Sequence, residues 1–120
     1  MKVLKFGGSS VASSESIHKV IGIVKDRAAK SNIAVVVSAL GGITDLLLAA
    51  GNLACKGDEN YKDRFKTIEE KHLQIARALI PINSQSSVLG QVKKMLNKLE
   101  TTLEGVFLIN ELSNKTSDKI

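Results

Sequence analysis

Lys5-Phe6-Gly7-Gly8-Ser9-Ser10 sets a cation, two glycines and two hydroxyls within one short stretch. Glycine gives up more backbone freedom on folding than any other residue, so a pair marks a sharp bend or a close approach. Backbone N–H groups that can point at one spot, with a lysine beside them, suit an anion such as a phosphate. A second stretch, Ser38-Ala39-Leu40-Gly41-Gly42-Ile43-Thr44-Asp45, has the same ingredients of hydroxyl and paired glycine. Neither is a P-loop, because that motif places its lysine after the glycines and Lys5 comes before them. Neither carries the G-x-G-x-x-G of a dinucleotide site. Taken alone, Gly-Gly-Ser-Ser is also the composition of a tight, serine-capped turn, and both readings stand at this point.

The elements that would position these residues follow from hydropathy. Val3-Leu4-Lys5-Phe6 reads as a short strand ended by Gly7-Gly8. The serines beyond offer N-caps, and Glu15 suits the first turn of a helix. Ile17, Val20, Ile21, Val24 and Ala28 recur at helical spacing, which predicts an amphipathic helix from about Ser14 to Ala29. Ile33-Ala34-Val35-Val36-Val37 is continuously apolar, as in a strand covered on both faces. The two strands and the helix form a βαβ unit, which requires parallel strands and a right-handed crossover. Both glycine stretches then follow the carboxyl ends of neighbouring strands, where open α/β sheets bind ligands. Ser38, Gly41, Gly42 and Thr44 are expected to face the cleft lined by Lys5 and Gly8.

Three further helices are expected: one through Leu46–Ala54, one from about Glu59 to Leu79 ended by Pro81, and one from Val88 to Leu103. The longer of the first two carries Tyr61, Phe65, Ile68, Ile75 and Leu79 on one stripe, and the last carries Val88, Val92, Met95, Leu96, Leu99 and Leu103. Asn83 to Ser87 reads as a polar connection, and Gly105-Val106-Phe107-Leu108-Ile109 fits strand or helix. Another helix is expected to start after Ser113. Two strands leave long unpaired edges, which proteins avoid or cover. The expectation is that these residues are the front part of a longer protein.

At 120 residues, with 43% hydrophobic and 24% charged residues, the composition is that of one soluble globular domain. No apolar run reaches the roughly 18 residues of a membrane span, and no secretory pattern opens the chain. The single Cys55 excludes an internal disulfide and points to a reducing cytoplasm. The net charge of +5 comes from scattered lysines, and only 3% of residues are aromatic, which argues against nucleic acid. Lys93, Lys94 and Lys98 form a solvated helix face, as do Glu69, Glu70 and Lys71. His72 lies near the Ile68–Ile75 stripe in a structural position, His18 falls on the polar side of its helix, and Cys55 reads as an inert, small apolar residue. No metal-ligand spacing is present.

Lys5-Phe6-Gly7-Gly8-Ser9-Ser10-Val11-Ala12 resembles the amino-terminal signature of aspartokinases, in which a threonine often stands where Ser9 is. Val36-Val37-Ser38-Ala39-Leu40-Gly41-Gly42-Ile43-Thr44-Asp45 is similar to the family's second motif. Gly105 to Ile109, Glu111-Leu112-Ser113 and Asp118-Lys119-Ile120 are similar to a third block, whose flavour is closest to the bifunctional aspartokinase/homoserine dehydrogenases. The resemblance implies the amino acid kinase (carbamate kinase-like) α/β/α sandwich, with residues 1–120 as the amino-terminal, aspartate-binding part. It implies transfer of the ATP γ-phosphoryl group to the side-chain carboxylate of L-aspartate, giving 4-phospho-L-aspartate. This is the first step toward lysine, threonine, methionine and isoleucine.

In that scheme Lys5 is catalytic and, with Gly7, Gly8 and Ser9, binds phosphate, while Ser38, Gly41, Gly42 and Thr44 bind aspartate. Asp45 reads as a first-turn helix acid. ATP and Mg²⁺ are the implied cofactors, with NADP if a dehydrogenase part is fused, and the whole enzyme is expected to be a cytoplasmic homo-oligomer. The family's acidic Ser-x-Gly-Glu segment, nucleotide lobe and regulatory domains are expected beyond Ile120, so the 120-residue chain is expected to be inactive by itself. Two other readings stay open: an amino acid kinase of the glutamate or acetylglutamate type, and a non-catalytic anion-binding or oligomerising module.

Overall fold

The computed structural model describes residues 1–118, and the side chains of residues 1–112. In chain order the elements are β1 (Lys2–Phe6), a 3₁₀ turn (Gly8–Val11), α1 (Ser14–Ala28), β2 (Ile33–Val37), α2 (Ile43–Cys55), α3 (Tyr61–Leu79) and α4 (Ile82–Asp118). They gather into two compact units, Met1–Thr44 and Asp45–Ile120.

In the first unit β1 and β2 pair in parallel, with Lys2 opposite Ile33 and Phe6 opposite Val37. This is the βαβ arrangement that the sequence predicts. The crossover helix α1 starts at a capping box. The Ser16 amide donates to Ser13 Oγ (3.2 Å) and the Ser13 amide donates to Ser16 Oγ (3.0 Å), so two N–H groups that lack intrahelical acceptors are satisfied reciprocally. Glu15 in the first turn and Lys25 and Arg27 in the last complement the helix dipole. α1 buries Val20 and packs against β2 and the 3₁₀ turn.

One expectation fails here. β2 is not covered on both faces: Val35, Val36 and Val37 are 42%, 49% and 56% exposed, and Val3 on β1 is 56% exposed. Two strands and one helix within this unit hold too little apolar surface to enclose a sheet. Ile21, placed on the apolar stripe of α1 by its spacing, is exposed for the same reason.

In the second unit α2 ends where Gly57 takes a left-handed conformation (φ +73°), and the Gly57 and Asp58 amides donate to the Ala54 and Leu53 carbonyls (3.0 and 2.9 Å). Asn110 Nδ2 donates to the Cys55 carbonyl (2.8 Å), which ties the end of α2 to α4. Cys55 itself is exposed at the end of α2. His72 bonds the Ile68 carbonyl through Nδ1 (2.7 Å), the structural position expected of it.

Tyr61 at the start of α3 meets Phe107 far along α4, with ring centroids 5.4 Å apart. Gln85 at the start of α4 donates to the Arg77 and Ile80 carbonyls at the end of α3. The two helices are therefore antiparallel. Their core is Tyr61, Phe65 and Ile68 from α3 with Leu96, Leu103 and Phe107 from α4. Burying each of these large side chains contributes about 1.5–3 kcal/mol.

α4 is much longer than its apolar spacing predicts. The Ser84 amide donates to the Pro81 carbonyl (2.9 Å), so the polar Asn83–Ser87 stretch is already helix, its charge-free side chains mostly turned to solvent. Gly105 to Ile109 is helix too, because Phe107 falls one turn beyond Leu103 on the buried face. No new helix starts after Ser113, since α4 continues through Asp118. Lys119 and Ile120 of the third sequence block lie outside the described residues. Met95, adjacent to the buried Leu96, is 72% exposed and not core. Glu69 and Lys71 are half-buried, where a fully solvated face was expected. No helix among the described residues is long and apolar enough to cross a membrane.

Gly90 is exposed on α4, and a methyl added there meets nothing within 4 Å. Gly90→Ala should therefore raise stability by about 0.5–1 kcal/mol in urea unfolding.

Candidate functional site

The two glycine loops begin at the same level because β1 and β2 end in register, Phe6 beside Val37. The ladder runs one step further, with the Ser38 amide donating to the Phe6 carbonyl (3.0 Å). Lys5 lies one residue inside β1, exposed, on the pleat face that also carries Val3. Beyond it Gly7 is extended (φ −81°, ψ −179°) and caps the 3₁₀ turn. The Ser10 amide bonds the Gly7 carbonyl (3.0 Å), while the Gly8 and Ser9 amides open the turn and have no acceptor within it.

This differs in one respect from the arrangement read in the sequence. The N-terminus nearest Gly7-Gly8 belongs to the 3₁₀ turn. α1 starts later, at Ser14, and its own first amides are engaged by the Ser13–Ser16 capping box.

The second loop folds back onto the first. The Gly41 amide donates to the Val11 carbonyl (3.4 Å), and the Ile43 amide closes a turn on the Leu40 carbonyl (2.9 Å). Gly42, in that turn, has φ +83°, a conformation that favours glycine. A Cβ built on Gly41 would lie 2.7 Å from the Ala12 methyl and 2.9 Å from the Gly8 carbonyl oxygen. A Cβ on Gly8 would lie 3.7 Å from Gly41 Cα and 3.8 Å from Ser38 Oγ. Gly8, Ser38 and Gly41 are thus brought together in one contact.

Ser38 Oγ donates to the Ala39 carbonyl (2.7 Å), which leaves its oxygen free to accept. Ser9 and Thr44 are exposed at the edges of the two loops. Thr44 and Asp45 fall in the first turn of α2, where an acid complements the helix dipole. Sequence reasoning did not single out Val11 and Ala12, yet Val11 is buried, 5% exposed, and both touch the second loop. Their signals in the sequence are their position between the serines and the helix cap and their place at the end of the Lys5–Ala12 signature.

Among the described residues no group of three or more His, Cys, Asp or Glu could hold a metal ion. A cleft of about 490 Å³ lies between α3 and α4, lined by Tyr61, Phe65 and Phe107 among others. It contains none of the residues that sequence reasoning assigned to a site.

The model of the amino acid kinase family matches residues 1–112. The chain is 34% identical over 119 residues to Aspartokinase 1, chloroplastic, of Arabidopsis thaliana, covering 97% of this chain and 20% of that protein. It is 28% identical over 116 residues to Bifunctional aspartokinase/homoserine dehydrogenase 1, chloroplastic, of Zea mays, covering 97% of this chain and 12% of that protein. Among solved structures, Clostridium acetobutylicum aspartate kinase superposes with a TM-score of 0.63 at 26% identity, over 94% of this chain and 29% of that one. The chain therefore spans from 12% to 29% of the length of these proteins.

A methyl at Gly7 meets nothing within 4 Å, and one at Gly8 makes only ordinary contacts. Gly7→Ala and Gly8→Ala should each change unfolding stability by less than about 1 kcal/mol, measured by denaturant titration.

Proposed function

We propose that this chain, which belongs to the amino acid kinase family, is the amino-terminal, aspartate-side part of an aspartokinase catalytic domain. Its parallel α/β fold is that of the family. The observation that carries the reading is the contact between the two glycine loops at the level carboxyl ends of β1 and β2. That contact brings together Gly8, read as part of a phosphate loop, and the Ser38 and Gly41 loop, read as holding aspartate.

In the reaction, a side-chain carboxylate oxygen of L-aspartate attacks the γ-phosphorus of ATP, the bond to the β-phosphate oxygen breaks, and ADP leaves. The protein's part in phosphoryl transfer is positioning and neutralisation of charge on the transferring group. The Lys5 ammonium supplies a full positive charge beside the phosphoryl oxygens. The Gly8 and Ser9 amides, which lack acceptors within the 3₁₀ turn, and the Ser9 hydroxyl add hydrogen bonds there, with Gly7 keeping the approach clear. Ser38, Gly41, Gly42 and Thr44 hold aspartate through hydroxyl and backbone groups.

The described residues offer no ligand set for Mg²⁺, and no step here is assigned to it. NADP would serve only a fused dehydrogenase part. Similarity to both single and bifunctional aspartokinases supports the aspartate branch over a glutamate or acetylglutamate kinase. The likeness of the third sequence block favours the bifunctional form. The whole enzyme is read as a homo-oligomer that acts on small molecules, not nucleic acid, in a reducing compartment such as the cytoplasm.

The reading is tested by grafting residues 1–112 in place of the matched segment of Clostridium acetobutylicum aspartate kinase and assaying acyl phosphate by hydroxylamine capture. The grafted enzyme should turn over, and the 120-residue chain alone should not. In the graft, Lys5→Ala should lower kcat by about 10²–10³-fold, while Thr44→Ala should chiefly raise the KM for aspartate. A folded graft whose turnover is unchanged by Lys5→Ala would refute the role given to Lys5.

A further inference from the structure

We propose that Ala12 is a positioning residue, the spacer against which Gly41 seats, and that it fixes the gap between the two glycine loops. The proposal rests on reading the two loops as one site and adds to it a residue that touches neither the proposed phosphate group nor the proposed aspartate.

Three contacts hold Gly41 in place. The Gly41 amide is tethered to the Val11 carbonyl (3.4 Å), and Val11 is buried and cannot drift. Directly beyond that tether the Ala12 methyl faces Gly41, so close that a Cβ there would sit 2.7 Å from it and 3.2 Å from Ala12 Cα. The Gly8 carbonyl oxygen would be 2.9 Å from the same Cβ. Gly41 therefore sits against Ala12 and Gly8 with no room for one added carbon.

Residue 12 sets how far the second loop approaches the first. It is anchored by both neighbouring elements, because it ends the 3₁₀ turn in a helical conformation (φ −86°, ψ −21°) and directly precedes the cap residue of α1. A larger residue at 12 displaces Gly41, and Ser38 and Gly42 move with it relative to Gly8. Such a shift misplaces an acceptor relative to a donor by a fraction of an ångström to an ångström, enough to slow a positioned reaction by up to about a hundredfold.

The test is a double-mutant cycle on the 120-residue chain, read by unfolding equilibrium and by backbone amide shifts. Gly41→Ala should lower the folding equilibrium constant on the order of ten- to a hundredfold. Ala12→Gly should lower it less. Combined with Gly41→Ala, it should restore at least threefold of the loss, because the closest clash is with the Ala12 methyl. Recovery stays partial because the Gly8 carbonyl still crowds the added carbon.

Ala12→Ser, the mildest enlargement, keeps the chain folded if Gly41→Ala does not. It should shift the amide resonances of Gly8, Ser38, Gly41 and Gly42 while those of α3 and α4 stay in place. A purely structural Ala12 would lower stability without displacing the second-loop amides. Strict additivity in the cycle, or unmoved Ser38 and Gly41 amides in Ala12→Ser, would overturn the proposal. Neither readout depends on kinase turnover, so failure of the spacer and failure of the aspartokinase reading are separate results.

Discussion

The parallel pairing of β1 with β2 is the constraint on which the site depends. Parallel strands joined by a single helix put both carboxyl ends at one edge, and the register of Phe6 with Val37 makes them end level. The Ser38–Phe6 hydrogen bond carries the pairing into the loops themselves. A slip of one residue would turn Lys5 to the other face of the sheet and part Gly8 from Gly41. α1 serves the same end, since its capping box fixes where the first loop stops and the helix begins.

The four glycines of the two loops answer to different causes. Gly42 is required by its positive φ, and Gly41 by its close contact with Ala12 and Gly8. Gly7 and Gly8 are required by neither, because the first is extended with open space beside it and the second has room for a methyl. Packing and backbone conformation thus explain the glycines of the second loop and not those of the first.

Much of this is legible in the sequence. The short strand Val3–Phe6 ended by two glycines, the unbroken apolar run of Ile33–Val37 and the 3.6-residue spacing between them were enough for a parallel βαβ unit with glycine loops at one edge. Serine capping of α1 and the stop at Pro81 were readable from residue type alone. Burial was not, because an apolar run reports what a strand can cover and not what is there to cover it, so Val35–Val37 were misjudged. α4 was cut short because Asn83–Ser87 and Gly105 look like breakers. Yet the Gln85 bonds to the end of α3 and the seating of Phe107 on Tyr61 hold the helix through both. The fit of Gly41 against Ala12 brings together residues from two loops, and no local pattern carries it.

The most direct measurement is a crystal structure of the grafted kinase with L-aspartate and a non-hydrolysable ATP analogue bound. The account predicts Lys5 Nζ within hydrogen-bond reach of a γ-phosphate oxygen, the Gly8 amide on the same group, and the aspartate held by the Ser38–Thr44 loop. Aspartate bound away from that loop, or Lys5 turned away from the phosphates, would contradict it.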